Sequence, residues 1–162
     1  MSKKSSTASK DPSQVVCRNR RARHDYDIID ELECGIVLQG SEVKSIRDNH
    51  VTIDEAYARV EEDEVWLINA DIAEYPQASV YNHERKRNRK LLMSRREVRK
   101  FAEAAGKNGQ TLVPLDVHFS RGLVKIQLAL AKGRREHDKR DRIKKNEAQK
   151  QIRDAMSKRK RT

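Results

Sequence analysis

The stretch NRRARHDY, residues 19–26, gathers cationic forks and aromatic rings within a few positions. Arginine guanidinium groups suit the paired hydrogen bonds that phosphate oxygens accept. The rings of His24 and Tyr26 offer flat faces on which unstacked RNA bases can lie. Tyr26 has a second interpretation as a core-facing strand residue, because it begins an alternating pattern described below. These side chains are suited to contacts with phosphates and with exposed bases.

The cations of the whole chain are gathered in three blocks. The formal net charge is +11 over 162 residues: residues 1–24, 83–100 and 132–162 carry net charges of +6, +7 and +9, whereas residues 25–82 carry −12. Blocks of this kind favour a polyanionic partner. A membrane is disfavoured, because the C-terminal block has few apolar residues for an amphipathic face. No apolar run approaches the ~20 residues of a spanning helix.

Signatures of catalysis and metal binding are missing from the sequence. It contains no GxxxxGK[ST] or GxGxxG motif, and its five histidines show no zinc-type spacing. Cys17 and Cys34 are too few for a disulfide framework. The N-terminus has no apolar segment of a secretory signal. We therefore expect a cytoplasmic protein with reduced cysteines, no cofactor and no metal, which is not an enzyme; an RNA-processing enzyme is the rival class.

The apolar pattern predicts a mainly β fold that positions these residues. Apolar residues alternate over residues 26–38, with Asp30 as the exception, which is the period of a long half-buried strand. Gly35 inside this strand suggests a bend or bulge. Two hairpins are predicted within residues 55–72 and 111–131. The second turns at Arg121-Gly122, where a tight turn prefers Asn-Gly.

Short helices are predicted beside these strands. GSEVKSIRD, residues 40–48, begins with Ser41 as a candidate cap. MSRREVRKFAEAAG, residues 93–106, has a Ser94–Glu97 capping box. The economical arrangement is a small closed antiparallel barrel of the oligonucleotide-binding type, because closure removes exposed strand edges.

The sequence changes character after Ala131, inside LALAKGRREHDKRDRIKK at residues 128–145. An apolar strand end gives way to charges that repel one another and bury too little surface to offset ordering entropy. We predict a disordered leader at residues 1–14, an RNA-binding domain at residues 15–131, and a basic tail at residues 132–162. The tail is disordered when free and helical on a polyanion, since it is rich in helix-forming residues.

Several stretches resemble one known family, SmpB, the bacterial small protein B that binds transfer-messenger RNA. They cover about residues 15–140 in order and spacing: NRRARHDY (19–26), CGIVLQGSEVKSIR (34–47), NHERKRNRKLL (82–92), LVPLDVHF (112–119) and LALAKGRREHDKR (128–140). The resemblance implies an oligonucleotide-binding-type barrel that holds the tRNA-like domain of the RNA and rescues stalled ribosomes. It also implies that the tail enters the decoding centre and the empty mRNA channel.

The resemblance implies a set of residues that bind the RNA: Asn19, Arg21, Arg23, His24, Tyr26, Glu33, Glu42, Lys44, Arg87, Arg89, Lys90 and Lys125. Glu33 would accept hydrogen bonds from base amines or a 2′-hydroxyl, or orient a neighbouring arginine, or be one surface acid among many. Glu42 and Lys44 do not face each other on a helix, so each would have its own partner. The basic loop of residues 82–92 also fits a solvated run of charges.

The resemblance further implies tail residues that act at the small-subunit decoding centre: Lys132, Gly133, Arg134, Arg135, His137, Asp138, Lys139, Arg140, Ile152 and Met156. His137 is the stacking residue of that pattern, and Ile152 and Met156 stand at i, i+4 as a late apolar pair. Arg134-Arg135 replaces the more usual Lys-Lys, and Arg85 stands where a proline is common. A generic RNA-binding or ribosomal protein with a basic extension is the alternative; in either case we expect a monomer.

Overall fold

The computed structural model describes residues 14–134 and 136–159, and within the last helix the side chains of residues 143–153 and 156. The predicted leader, apart from Gln14, lies outside the described residues. Nine strands and four α-helices follow one another along the described chain. The strands are β1 Gln14–Arg18, β2 Tyr26–Ile36, β3 Val51–Thr52, β4 Tyr57–Glu61, β5 Glu64–Ile68, β6 Asp71–Ile72, β7 Arg89–Leu92, β8 Gln110–Ser120 and β9 Leu123–Gly133; the helices are α1 Arg20–Asp25, α2 Gly40–Arg47, α3 Arg95–Ala104 and α4 Glu136–Arg159.

Seven of the strands form one sheet in the order β1-β8-β4-β5-β7-β2-β9. Strand β9 also pairs with β8, so the order of pairing returns on itself through six of the seven strands. Every pair is antiparallel, and the pairs that β9 makes with β2 and β8 are the longest. Strands β3 and β6 form a separate short ladder. The predicted mainly β fold with short helices is confirmed.

One hydrophobic core joins the strands to α2 and α3. Val65, Leu67 and Leu128 are almost fully buried in it, and α3 contributes Val98 and Phe101. Helix α3 begins as predicted, because the Ser94 hydroxyl accepts from the Glu97 backbone N–H at 3.3 Å while the Glu97 carboxylate accepts from that of Ser94 at 2.8 Å. The capping box therefore fixes where the helix starts and which face it turns to the core.

The irregularity of β2 lies at a different place from the predicted one. The register of β2 against β9 shifts between Ile28 and Asp30, which leaves Ile29 52% exposed and explains why Asp30 breaks the alternation. Around Gly35 the pairing is regular, so the predicted bulge there is wrong. A Cβ on Gly35 would lie only 3.3 Å from the Cβ of Leu92. Gly35 therefore allows a close approach of β7.

Two turn and cap predictions have different outcomes. Arg121 and Gly122 both have positive φ angles, 50° and 77°, which are the angles of the predicted tight hairpin turn. Ser41 does not cap α2, because Gln39 is the N-cap residue. The Glu42 carboxylate accepts the Gln39 backbone N–H at 2.8 Å. The start of α2 is thus set by an acid that the sequence analysis assigned to RNA.

The tail begins later than predicted and is helical. Strand β9 runs to Gly133, past the predicted boundary at Ala131, and pairs there with Tyr26. Helix α4 follows at Glu136–Arg159, and its described side chains are exposed. Melting of this helix in the free protein stays a prediction, argued from the mutual repulsion of its charges.

Candidate RNA interface

Helix α1 presents the cationic N-terminal cluster at the surface. Arg21, Arg23 and His24 are exposed on it. Arg23 donates to the Glu31 carboxylate at 3.1 Å, and His24 Nδ1 lies 2.9 Å from the Asp25 carboxylate. Exposed pairs of this kind contribute little stability and exchange readily. The cluster can therefore release its guanidinium groups to phosphate oxygens.

Asn19, a predicted RNA contact, has hydrogen-bond partners inside the protein. Its side chain is buried, and its amide donates to the carbonyl oxygens of Ile53 and Pro114, each at 3.2 Å. Its side-chain oxygen accepts the Ala22 backbone N–H at 3.0 Å, as an N-cap of α1. Both donor hydrogens are used inside the protein, so Asn19 positions the helix that carries the cations, and its direct contact with RNA stays a prediction.

Tyr26 stands where α1 passes into β2, and its side chain is half-buried. A pocket beside it is also lined by Arg21, Tyr57 and the acids Asp54 and Glu55. The pocket thus brings two phenol rings and a guanidinium group together, while its acids would turn phosphates away. Tyr57 is not predicted from the sequence, because it lies in an acidic strand segment far from residues 19–26 along the chain.

Two predicted RNA contacts, Glu42 and Arg89, form a buried ion pair. Both side chains are fully buried, with Arg89 Nε donating to Glu42 Oε1 at 2.8 Å. Arg87 donates to both Glu42 oxygens, at 2.7 Å and 2.6 Å, and keeps 24% of its side chain exposed. Arg89 also donates to the Ala70 carbonyl at 2.8 Å. This buried pair holds its partners in place, and direct contact of Glu42 and Arg89 with RNA stays a prediction.

The pKa of the Glu42 carboxyl is set by opposing effects. Burial raises this pKa. The hydrogen bonds from Arg87 and from the Gln39 backbone, together with the charge of Arg89, lower it by more, so the pKa of Glu42 lies below its ordinary value. Burial lowers the pKa of the Arg89 guanidinium, against the effect of Glu42. The cluster ties the basic loop to α2, which makes residues 82–92 a structured segment rather than a solvated run.

The other predicted cations of this region remain at the surface. Lys44 is exposed on α2, with Nζ 5.4 Å from the centre of the Tyr75 ring. Lys90 forms an ion pair with Glu64. Lys44 satisfies the expectation that it and Glu42 have separate partners, because one side chain points outward and the other into the core.

The outer face of β2, β8 and β9 carries a second polar group of residues. Glu33 Oε2 lies 2.9 Å from Nε2 of His118, whose Nδ1 lies 2.7 Å from Oδ1 of Asp116. His118 is nearly buried, whereas the Glu33 side chain is 49% exposed. Lys125 pairs in register with both His118 and Gly35. Glu33 and Lys125 are predicted from the sequence as RNA contacts. His118 is not predicted, because only the register of β8 against β9 brings it beside them.

The root of the tail is hydrogen-bonded to the body. Arg134 Nε donates to the Asp27 carboxylate at 2.6 Å, and Nη1 donates to the His24 carbonyl at 2.8 Å. Only 8% of the Arg134 side chain is exposed. These donors are used within the protein, and contact of Arg134 with ribosomal RNA stays a prediction. Lys132 and Gly133 belong to β9 rather than to the tail.

The rest of the predicted tail site is only partly described. Ile152 and Met156 are exposed on α4, at 56% and 67%. Arg135 and the side chains of His137, Asp138, Lys139 and Arg140 lie outside the described residues. Within the described part of the chain, no group of three His, Cys, Asp or Glu side chains is placed to hold a metal ion. No helix among the residues described has the length and apolar character needed to cross a membrane.

The family model described as SmpB protein matches residues 16–158 of this chain. An SsrA-binding protein of Bartonella henselae is 50% identical over 135 residues, covering 83% of this chain and 85% of the relative. That of Rhodopseudomonas palustris is 54% identical over 137 residues, covering 84% and 87%. That of Levilactobacillus brevis is 42% identical over 152 residues, covering 94% and 96%.

A solved structure is similar over the same span. It is described as "tmRNA-SmpB: a journey to the center of the bacterial ribosome", and one of its chains superposes with a TM-score of 0.65 at 40% sequence identity. The match covers 82% of this chain and 95% of the other.

Proposed function

We propose a function from the fact that the chain belongs to the SmpB protein family. In this proposal the protein binds the tRNA-like domain of transfer-messenger RNA and delivers that RNA to stalled ribosomes in the bacterial cytoplasm. The bound RNA then serves in peptide tagging, while the tail acts in the decoding centre and the empty mRNA channel. The protein works as a monomer and as a binding factor rather than as an enzyme.

The observation that carries this proposal is the exposed cationic face of α1 on a chain similar to one in a tmRNA-SmpB structure. Arg21 and Arg23 supply guanidinium forks, and His24 supplies a ring, at the end of a helix that the buried Asn19 holds fixed. A rigid mount lowers the entropy that a binding side chain loses on contact. These features favour recognition of one shaped RNA over contact with any polyanion.

The ring of strands also supports an assignment of fold type. Six antiparallel strands whose pairing order returns on itself fit a small barrel of the oligonucleotide-binding type. In such a barrel Glu33 and Lys125 belong to an outer face that is open to RNA. Helix α4 is then the arm that ribosomal RNA stabilises by neutralising its charges.

Binding preference tests the proposal. The full chain should bind transfer-messenger RNA far more tightly than a random hairpin of equal length at ~0.15 M salt, where unspecific contacts weaken. Equal affinity for the two RNAs would favour the generic RNA-binding alternative. Labelled RNA should stay intact through long incubation with divalent metal ions; its cleavage would instead favour an RNA-processing enzyme.

A matched pair of variants tests the interface. Arg21→Ala removes an exposed guanidinium group on α1 and should weaken binding to transfer-messenger RNA by about tenfold, as expected for one charge-assisted contact. Lys107→Ala removes an exposed cation in the loop after α3 and should leave the affinity unchanged. Equal losses for the two variants would mean that net charge, and not the α1 surface, drives binding.

A further inference from the structure

Arg134, at the root of the tail, is hydrogen-bonded to the body. Strand β9 ends at Gly133 and α4 begins at Glu136, so Arg134 occupies the short connection between them. Its backbone N–H donates to the Asp25 carbonyl at 3.0 Å, and its side chain is nearly buried. Residues of a flexible linker are ordinarily exposed, so this position is built for a purpose beyond joining two segments.

The side chain of Arg134 grips the end of α1. Nη1 donates to the carbonyl oxygens of Arg23 at 3.2 Å and His24 at 2.8 Å, which α1 leaves without helical partners. Nε donates to the Asp27 carboxylate at 2.6 Å, at the start of β2. One planar guanidinium group thus ties helix end, strand start and tail root together, which a lysine ammonium cannot do with the same fork geometry.

We propose that Arg134 is a positioning residue that sets the direction in which the tail leaves the body, by holding it to the helix that binds RNA. The inference rests on the proposed function, in which α1 touches the tRNA-like domain and the tail touches the ribosome. Arg134 is the joint that connects the tail to the RNA-binding helix α1, because it donates to the carbonyls of Arg23 and His24, whose side chains face the RNA in the proposed function. Orientation of the bound RNA therefore fixes the orientation of the tail.

Distances between spin labels in the full chain test the joint directly. Labels are attached at Glu103→Cys on α3 and Lys144→Cys near the start of α4, both exposed sites, in a chain that also carries Cys17→Ser. Cys34 stays unlabelled, because it is buried and burial raises the pKa of its thiol to about 12. Arg134→Ala should broaden the distance distribution, and Arg134→Lys should broaden it less. Equal widths in the parent and Arg134→Ala would overturn the proposal.

A partner variant separates positioning from direct contact with ribosomal RNA. Asp27→Ala removes one anchor and leaves the Arg134 side chain itself unchanged, so the joint predicts a broader distribution and a several-fold loss of peptide tagging with affinity for transfer-messenger RNA kept within about twofold. Unchanged tagging in Asp27→Ala would mean that Arg134 acts by direct contact. Arg153→Ala, which removes an exposed tail cation, is the control and should leave the distribution unchanged. The free protein gives the distances without RNA, so this result is independent of whether the proposed function holds.

Discussion

His118 on β8 and Glu33 on β2 are in contact across β9, with Nε2 of the imidazole 2.9 Å from Oε2 of the carboxylate. The other ring nitrogen lies 2.7 Å from the Asp116 carboxylate. Through its two ring nitrogens the imidazole therefore bridges the two carboxylates.

The same arrangement predicts that His118 orients Glu33 for RNA. His118→Gln can donate to only one of the two acids, so the half-exposed Glu33 carboxylate loses its fixed position. We expect about a tenfold loss of affinity for transfer-messenger RNA, comparable to one charge-assisted hydrogen bond. His50→Gln, at an exposed position, is the control and should bind normally. Normal binding by His118→Gln would limit the histidine to a structural role.

Removal of the charge of Glu42 should destabilise the fold strongly. Glu42→Gln leaves the buried Arg89 without its counter-ion, a change that costs roughly 3–5 kcal/mol in the free energy of unfolding. Urea denaturation with circular dichroism measures it. Glu61→Gln breaks an exposed pair with Arg59 and should cost less than about 1 kcal/mol. Comparable losses for the two variants would refute the claim that the Glu42 cluster supports the fold.

The effect of Glu42 should depend on pH in one direction. The pKa of its carboxyl is lowered in the folded protein relative to the ordinary value of 4.5. A depressed folded-state pKa contributes stability above the unfolded-state pKa, and that contribution is lost as the pH falls through the folded-state value. The difference in unfolding free energy between the parent and Glu42→Gln should therefore be constant near neutral pH and shrink below about pH 4. A gap that widens in acid would reverse the assigned sign.

Gly35→Ala tests the close approach of β2 and β7. The added methyl would meet the Cβ of Leu92 at 3.3 Å, so one strand must move slightly. We expect a loss of about 1–2 kcal/mol in unfolding free energy. Gly40→Ala is the matched control, because nothing lies within 4 Å of the position of its added methyl and helix α2 favours alanine. An unfolding free energy of Gly35→Ala equal to that of the parent would show that β2 and β7 can accommodate the added methyl group.

Two truncations should separate the body from the tail. A chain that ends at Arg134 keeps all of β9 and the joint with Asp27, so its melting temperature and its affinity for transfer-messenger RNA should match those of the full chain, while peptide tagging is lost. A chain that ends at Ala131 loses the pairs of Lys132 and Gly133 with β2 and should melt several degrees lower. Retained tagging by the Arg134 truncation would contradict the assigned division of labour.

The sequence pattern correctly predicts those parts of the fold that depend on residues close together in the chain. The Ser94–Glu97 cap, the Arg121-Gly122 turn and the two hairpins follow from neighbours in the chain. Strand β1 and helix α1 escaped prediction, since β1 gains its partner only from distant β8, and α1 is short and depends on the buried Asn19.

The site was predicted unevenly for a related reason. The basic residues Arg21 and Arg23 can be recognised in the sequence as candidate RNA contacts, and both are exposed in the structure. Glu42 and Arg89 are also charged but lie inside the protein, and the Arg134 side chain is nearly buried. Whether a charge meets solvent or another charge depends on partners tens of residues away, for example Ala70 for Arg89 and His24 for Arg134. No local pattern encodes such distances.

The position of β9 in the chain has a consequence for how the protein is made. This strand joins β2 to β8 and is the last strand of the sheet to be synthesised. Until Gly133 has left the exit tunnel of the translating ribosome, β2 and β8 each lack one of their partner strands. The pairing of the sheet is thus completed only when translation is almost finished.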